Sequence, residues 1–594
     1  MDSNWLETLH TALRAEEAHQ RAEHERLAAM DTEGRMLAGI TWPPLRFVRA
    51  DRRGWRVTVD LRAAAPLHDG ITPADLVAIS PRGGGDGFTG RVEDVDGSLV
   101  TVRLDRDQVG RDGIPGWIED HDLDVTLLFD GSTFVRYRQA LERADASTSA
   151  LKNALLDPGS DAELPPPAAL PDLNASQQAA AGHALLSSPL ALVRGPPGTG
   201  KTHLLARVLA KLVEHGDRPW ALADSNAAVD HLALAAERVG LRPLRLGNQL
   251  RIGADARHLS LDEALRTGPL AAAIKKLERE ADAYRELREL KLKARTHAIE
   301  DADVLCCTFG SLARLGPELP RAGTAVVDEA TQAIEPAVWT AVPHVDRLVL
   351  VGDPHQLGPV VMEPGNPLEE SLLSRLLDAG LALVALDEQH RMHAAIQATV
   401  QDIYGAVYTA APSVESHLLR DLRGVADTDA TSTPVRWIDT AGAGFEEERD
   451  PITMSMRNQG EARLVSLVVQ QLRAAGVRPE DIGVIAPYSA QVTLLGSVLP
   501  EAVEVATVNA FQGREKEAIV CSFTRSNDRG ELGFVADGRR LTVALTRARR
   551  CLVVIGDSAT LGGDRRFAAL GDHLAGTGAL ASVWEPPWSE ALDA

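Results

Sequence analysis

Leu190-Ala-Leu-Val-Arg-Gly195-Pro196-Pro197-Gly198-Thr199-Gly200-Lys201-Thr202, continued by His-Leu-Leu-Ala-Arg-Val-Leu-Ala-Lys-Leu-Val-Glu-His215, decides the fold class. An apolar β run enters a glycine-rich loop and leaves it through an amphipathic helix, the context that a GxxxxGK[ST] phosphate loop requires. The glycines let backbone N–H groups turn inward around phosphate oxygens, and the helix N-terminus adds the positive end of its dipole. The stretch Gly195, Pro196, Pro197, Gly198, Thr199 and Gly200 is therefore the expected phosphate cradle. Lys201 would neutralise the β and γ phosphates of ATP, and the Thr202 hydroxyl would ligate Mg²⁺.

Outward from this loop the texture alternates between apolar β runs and amphipathic helices: LALVRG, PWALAD, DVLCCTF, GTAVVDEA, RLVLVGD and LALVAL. That alternation predicts a parallel sheet covered on both faces. A second block, from about Val435 onward, repeats it with VRWIDT, IGVIAPY, VEVATV, AIVCSF and CLVVIGD, so two α/β domains in series are expected. The GTAVVDEA strand delivers two carboxylates at its C-terminal end. Asp328 is the expected Mg²⁺ partner, and Glu329 the expected proton acceptor for the water that attacks the γ phosphate.

The N-terminal third differs. Residues 1–45 hold a long charged helix predicted from Trp5 to about Met36. Residues 46–132 break into short β runs (WRVTVDL, LVTVRL, DVTLLF) separated by PRGGGDG, DVDG and IPG turns, which predicts a small barrel or sandwich. Residues 133–172 carry a returning helical run, FVRYRQALERADASTSALKNALL, and a Pro- and Asp-rich connector. The first α/β domain is placed at 173–410 and the second at 411–594. A charged stretch at about 250–300, with Leu277, Ala281, Tyr284 and Leu287 at helical spacing, reads as a helical insertion.

Composition bounds the partners. Among 594 residues, 62 Lys and Arg face 84 Asp and Glu, a formal charge of −22, which excludes a uniformly basic nucleic-acid binder. The charge is uneven: 301–450 is strongly acidic, whereas 201–300 and 451–550 are slightly basic, which leaves room for a local basic track. The four cysteines form no CxxC pair and no zinc-spaced cluster, so neither a disulfide framework nor a zinc domain is expected. The acidic start and the lack of a long uncharged apolar stretch predict no membrane association and a cytoplasmic protein.

The order of the remaining motifs narrows the enzyme class. Leu173-Asn-Ala-Ser-Gln177 precedes the phosphate loop; Ser225-Asn226-Ala-Ala-Val-Asp230, Val326-Val-Asp-Glu-Ala-Thr-Gln332 and Val351-Gly-Asp-Pro-His-Gln-Leu-Gly-Pro359 follow it. Then come Gln389-His-Arg-Met-His393, Ile485-Ala-Pro-Tyr488, Val508-Asn-Ala-Phe-Gln-Gly-Arg-Glu-Lys516 and Val543-Ala-Leu-Thr-Arg-Ala-Arg549. The series resembles superfamily 1 helicases of group B, in the family that contains the nonsense-mediated-decay helicase and the immunoglobulin-mu-binding helicase. The match is strongest over about 170–560.

The resemblance implies two tandem RecA-like domains with a helical stalk and an accessory β-barrel. It implies a monomeric ATP-driven motor moving 5′ to 3′ on single-stranded DNA or RNA. Gln177 resembles the adenine-reading glutamine, Gln356 the γ-phosphate sensor, and Arg391 and Arg547 the arginine fingers presented by the second domain. His390 stands where the family commonly has an adenine-stacking tyrosine, and Gly513 and Glu515 fall in a motif that borders the nucleotide. Positions resembling the strand grip are Ser225, Asn226, Thr308, Pro359, Pro487 and Tyr488, the last able to stack on a base; taken singly, each also fits a turn or a cap. A nucleic-acid-stimulated ATPase that remodels nucleoprotein without processive unwinding is the alternative, and an ATP-dependent switch or scaffold the less favoured one.

Overall fold

A computed structural model describes the chain except residues 1–3, 54–55, 66, 68–69, 83, 86, 106–113, 115, 160–163, 188, 279–282, 452 and 593–594. Parts of the PRGGGDG and IPG turns, part of the connector, and Ala281 thus lie outside the described residues.

Six antiparallel strands close into a barrel: Leu45–Arg53, Arg56–Ala63, Leu99–Leu104, Phe88–Asp96, Leu76–Pro81 and Leu123–Leu127, in that spatial order. Leu45 pairing with Leu123 shuts the ring. Alternation is the cause of closure here. Val57, Val59, Leu61, Val77, Ile79, Val100 and Val102 point inward and are fully or almost fully buried, while most of their neighbours are partly exposed and Asp60 is buried in ion pairing with Arg49.

Two parallel sheets follow. The first has seven strands, ordered Leu383–Ala385, Leu190–Arg194, Val345–Gly352, Ala322–Val327, Trp220–Ala223, Val304–Thr308 and Pro243–Arg245. The second has six, ordered Glu504–Thr507, Ile482–Ala486, Lys516–Ser522, Ala548–Gly556, Val435–Asp439 and Leu580–Ser582. Every residue of Trp220–Ala223, Val304–Thr308 and Ile482–Ala486 is buried, the continuous apolar run of a strand covered on both faces. The sequence reading finds six and five of these strands. It misses Pro243–Arg245 and Leu580–Ser582, three-residue edge strands too short to show a pattern.

Two helical expectations are corrected. The N-terminal helix ends at Ala28, and a separate helix, Thr32–Leu37, starts where the Asp31 carboxylate accepts the Gly34 N–H. The returning run is two helices, Ser132–Asp145 and Ala150–Leu156, divided where Ser149 caps the second. The expected helical insertion lies between Pro243–Arg245 and Val304–Thr308 and contains the helices Leu261–Thr267, Ala271–Leu277 and Tyr284–Asp301.

The stalk is built into the first α/β domain. Leu6, Leu9 and Leu13 share one core with Tyr137 and Leu141 of the returning helix and with Trp220, Leu222, Trp339 and Leu348. Trp5 Nε1 donates to Glu335 Oε1 (2.9 Å), and Glu335 is paired with buried Arg375 (2.7 Å). Farther along, the buried Glu16 carboxylate accepts the backbone N–H groups of Met362 and Glu363, each at 2.9 Å.

Candidate functional site: a nucleotide cleft and a transverse groove

The phosphate loop leaves its strand at Arg194 and enters the helix Lys201–Glu214. Gly198 and Gly200 take φ of +73° and +75°, in the left-handed region where a side chain is strained. At Gly195 a Cβ would stand 2.3 Å from the Lys201 side chain. Lys201 Nζ donates to Gly195 O (2.9 Å) and lies 3.6 Å from Glu329 Oε1, folded over the loop it would share with phosphates.

Asp328 and Glu329 leave the end of the strand Ala322–Val327. Thr202 Oγ1 donates to Asp328 Oδ2 at 3.4 Å, and the Glu329 N–H donates to Asp328 Oδ1 at 2.9 Å. Burial, then repulsion from Glu329, raise the Asp328 carboxyl above its ordinary range, and Lys201 only partly offsets this. Glu329 Oε2 is buried without a hydrogen-bond partner. A hydroxyl and a carboxylate facing each other, beside an unsatisfied carboxylate oxygen and a phosphate loop, fit Mg²⁺, which takes few protein ligands and completes its shell with phosphate oxygens and water.

The opposite wall comes from the second domain and the segment leading to it. Arg547 Nη2 donates to Gln356 Oε1 across the seam (3.1 Å), and Gln356 Nε2 donates to Asp353 Oδ2 (2.8 Å). Burial and the nearby Arg391 lower the Arg547 guanidinium to about 10, so it stays charged at neutral pH. Arg391 lines the cleft from the segment that leads into the second domain. The adjacent His390 N–H donates to Gly198 O (2.8 Å), which pins this segment to the phosphate loop, while Arg391 reaches the second domain through Thr546 O and Glu515.

A cleft of about 350 Å³ is lined by Pro197 through His203, Asp328, Glu329, Gln356, His390, Arg391, Gly513, Glu515 and Arg547, which brings together most of the expected nucleotide residues. Gln177 is spent differently. Its Nε2 donates to Thr199 O (3.0 Å) and its Oε1 accepts the Asn174 N–H (3.1 Å), so the buried amide ties the loop to a capped helix rather than standing free at the cleft wall.

Sequence reasoning missed Tyr404 and Tyr408. Tyr404 OH donates to Asp353 Oδ2 and Tyr408 OH to Pro197 O, each at 2.6 Å, connecting the sensor and the loop from behind. Burial, with Asp353 beside it, pushes the Tyr404 hydroxyl well above the usual phenol range and keeps it a donor. The available signal was that two of only five tyrosines fall four residues apart after the Gln389-His-Arg motif.

Three further hollows, of about 910, 700 and 270 Å³, lie beside one another. The first and second share Asp130 and Thr133 in their walls; the second and third share Asn509. Together they form a groove from the barrel across the first domain to the second. Asn226 and Thr308 line the first hollow, Pro359 the second, and Pro487 and Tyr488 the third. Ser225 lines the nucleotide cleft instead. Ser225 and Thr308 also cap helices, accepting the N–H groups of Ala228 and Ser311.

Arg91, Arg103, Arg136, Arg251 and Arg314 face the first hollow. Burial chiefly, with Arg136 and Arg295 nearby, lowers the Arg314 guanidinium. Gln332 and Gln512 stand in the walls of both the groove and the nucleotide cleft, so the two spaces are separated by single side chains.

Two family models, each described as an AAA domain, match this chain: one over residues 172–277 and 266–364, the other over 368–559. The chain is 35% identical over 527 residues to the DNA-binding protein SMUBP-2 of Mus musculus, covering 79% of this chain and 53% of that protein. It is 35% identical over 425 residues to the DNA polymerase alpha-associated DNA helicase A of Schizosaccharomyces pombe, covering 66% and 64% respectively. It is also 35% identical over 424 residues to the regulator of nonsense transcripts 1 homolog of Drosophila melanogaster, covering 66% and 35%. The chain thus spans about half the length of the curated relatives it matches.

Proposed function

The chain belongs to the superfamily 1 helicases of group B, and on that premise we propose that it is an ATP-driven helicase or translocase. It acts on single-stranded DNA or RNA, moves 5′ to 3′ as its family resemblance implies, and works as a monomer in the cytoplasm. The observation that carries this reading is the groove that crosses both α/β domains and touches the nucleotide cleft through Gln332 and Gln512.

In this reading ATP seats its phosphates on the loop Gly195–Gly200, and Lys201 leaves Gly195 O for the β and γ phosphates. Glu329 accepts a proton from the attacking water as the bond between the γ phosphorus and the bridging oxygen breaks, releasing ADP and phosphate. Thr202 and Asp328 would hold Mg²⁺, which when bound supplies charge neutralisation at the phosphates. Arg547 exchanges its Gln356 partner for the γ phosphate, and Arg391 meets the same charge from the segment anchored at Gly198. Loss of the γ phosphate returns Arg547 to Gln356 and loosens the seam. Alternating tight and loose seams move two grips along a strand lying in the groove.

Among the described residues no helix is long and apolar enough to cross a membrane, and Cys306, Cys307, Cys521 and Cys551 are free and buried. The test is ATP turnover with and without matched DNA and RNA strands, followed by displacement of a 5′-tailed duplex with the preferred one. Turnover is expected to rise on adding a single strand. Turnover indifferent to both strands would overturn the motor, and stimulated turnover without displacement would shift the reading to nucleoprotein remodelling.

A further inference from the structure

We propose that Phe534, backed by Arg540, is the nucleobase platform of the second domain, an inference that rests on the nucleic-acid reading above. Phe534 is 45% exposed although it sits in the wall of the third hollow beside Pro487, Tyr488 and Asn509. An open phenyl face inside a polar groove does nothing for folding, and burying it against a base would be favourable.

The setting is built to present that ring. The Arg540 guanidinium lies 3.4 Å from the ring centroid, covering one face and leaving the other to the groove. Arg540 is itself held by Asp537 at 3.0 Å. Gly533 takes φ of +53°, and a Cβ there would come within 2.5 Å of Arg525 Nη1, so the turn that projects Phe534 needs glycine.

Tyr488, the base stacker expected from sequence, is committed elsewhere. Its hydroxyl donates to Leu532 O (3.3 Å) and accepts from Arg525 Nη1 (3.2 Å), and Arg525 is clamped by Glu447 (2.7 Å). Its ring leans on Phe534 at 6.2 Å and 46°, as a side support. The occupant is a base rather than an apolar peptide side chain because the wall mixes apolar Pro487, Tyr488 and Val508, suited to a ring face, with Ser455, Ser489, Thr507 and Asn509, small polar groups suited to sugar and phosphate, and because arginines line the first hollow.

The experiment measures binding of the full chain to a labelled single strand and to the same strand carrying scattered abasic sites, alongside ATP turnover without nucleic acid. Wild type is expected to prefer the strand with bases. Phe534→Ala should weaken binding of that strand by about tenfold while leaving abasic-strand binding and basal turnover unchanged. Phe534→Trp should restore the preference, and Arg540→Ala should reduce it in part. Phe534→Ala binding the base-bearing strand as wild type does, or losing equally on both strands, overturns the platform. Wild type binding neither strand overturns the nucleic-acid reading itself, and the platform with it.

Discussion

Glu329 carries two local costs at once: a φ of +50°, which for a non-glycine residue costs on the order of 1–3 kcal/mol, and a buried carboxylate oxygen with no partner. Both persist because the packed strand behind it, buried at every position from Thr324 to Val327, leaves the turn no alternative. Glu329→Gln is expected to lower turnover by about 100-fold or more, and Lys201→Ala to abolish it, with thermal midpoints close to wild type; phosphate release and thermal melts check both halves. A different carboxylate governs pH. Glu461 is fully buried, accepts from Ser522 Oγ and the Thr524 N–H, and is pushed by burial up to about 8. The folded state therefore binds this proton more tightly than the unfolded chain, so the contribution of Glu461 to stability is fully present below about pH 4.5 and is lost as pH rises to about 8. Glu461→Gln should flatten that slope, at most about 1.4 kcal/mol per pH unit, in urea titrations across the range. The loop Gly195–Thr202 and the Asp328-Glu329 pair were legible in sequence because their chemistry sits in a few consecutive residues. Tyr404 and Tyr408 were not, since their partners Asp353 and Pro197 lie 51 and 211 positions away.

Among the elements, the stalk helix shows how one side chain couples distant parts. Glu16 holds the N–H groups of Met362 and Glu363, a few residues past Gln356 and Pro359, so the stalk fixes the segment that carries the sensor and one wall of the groove. Glu16→Ala strands two donors in a buried site and is expected to cost roughly 1–3 kcal/mol, read as a lower denaturation midpoint; Glu16→Gln, which keeps one acceptor, should recover part of the loss. Periodicity predicted these helices but not their divisions. Neither the Ala29–Asp31 gap nor the Ala146–Ser149 gap contains glycine or proline, and only the capping residues Asp31 and Ser149 mark where a new helix begins. Edge strands were lost for the complementary reason: Pro243–Arg245 and Leu580–Ser582 are defined by a neighbour's hydrogen bonds rather than by their own pattern.

For the whole molecule, a charge of −22 and a groove edged with arginine coexist because the five arginines of the first hollow stand among four acids, Asp75, Glu93, Asp130 and Asp262, that neutralise most of them. Of the five arginines at the first hollow, Arg91, Arg103 and Arg251 face Asp130, Glu93 and Asp75, while Arg136 and Arg314 have no ion pair among the described residues. Affinity for a single strand should therefore fall with salt along a shallow slope, and Arg136→Ala or Arg314→Ala should each reduce that slope by about 0.7, measured by titration at several salt concentrations. The stalk's contacts also impose an order of events on synthesis. Trp5 precedes its partner Glu335 by 330 positions, and Glu16 precedes Met362 by 346. At about 5–20 residues per second, the helix leaves the ribosome tens of seconds before its docking surface exists. Through that interval Leu6, Leu9 and Leu13 can meet only Tyr137 and Leu141 of the returning helix, and the barrel between them has time to close before the α/β domains it adjoins are complete.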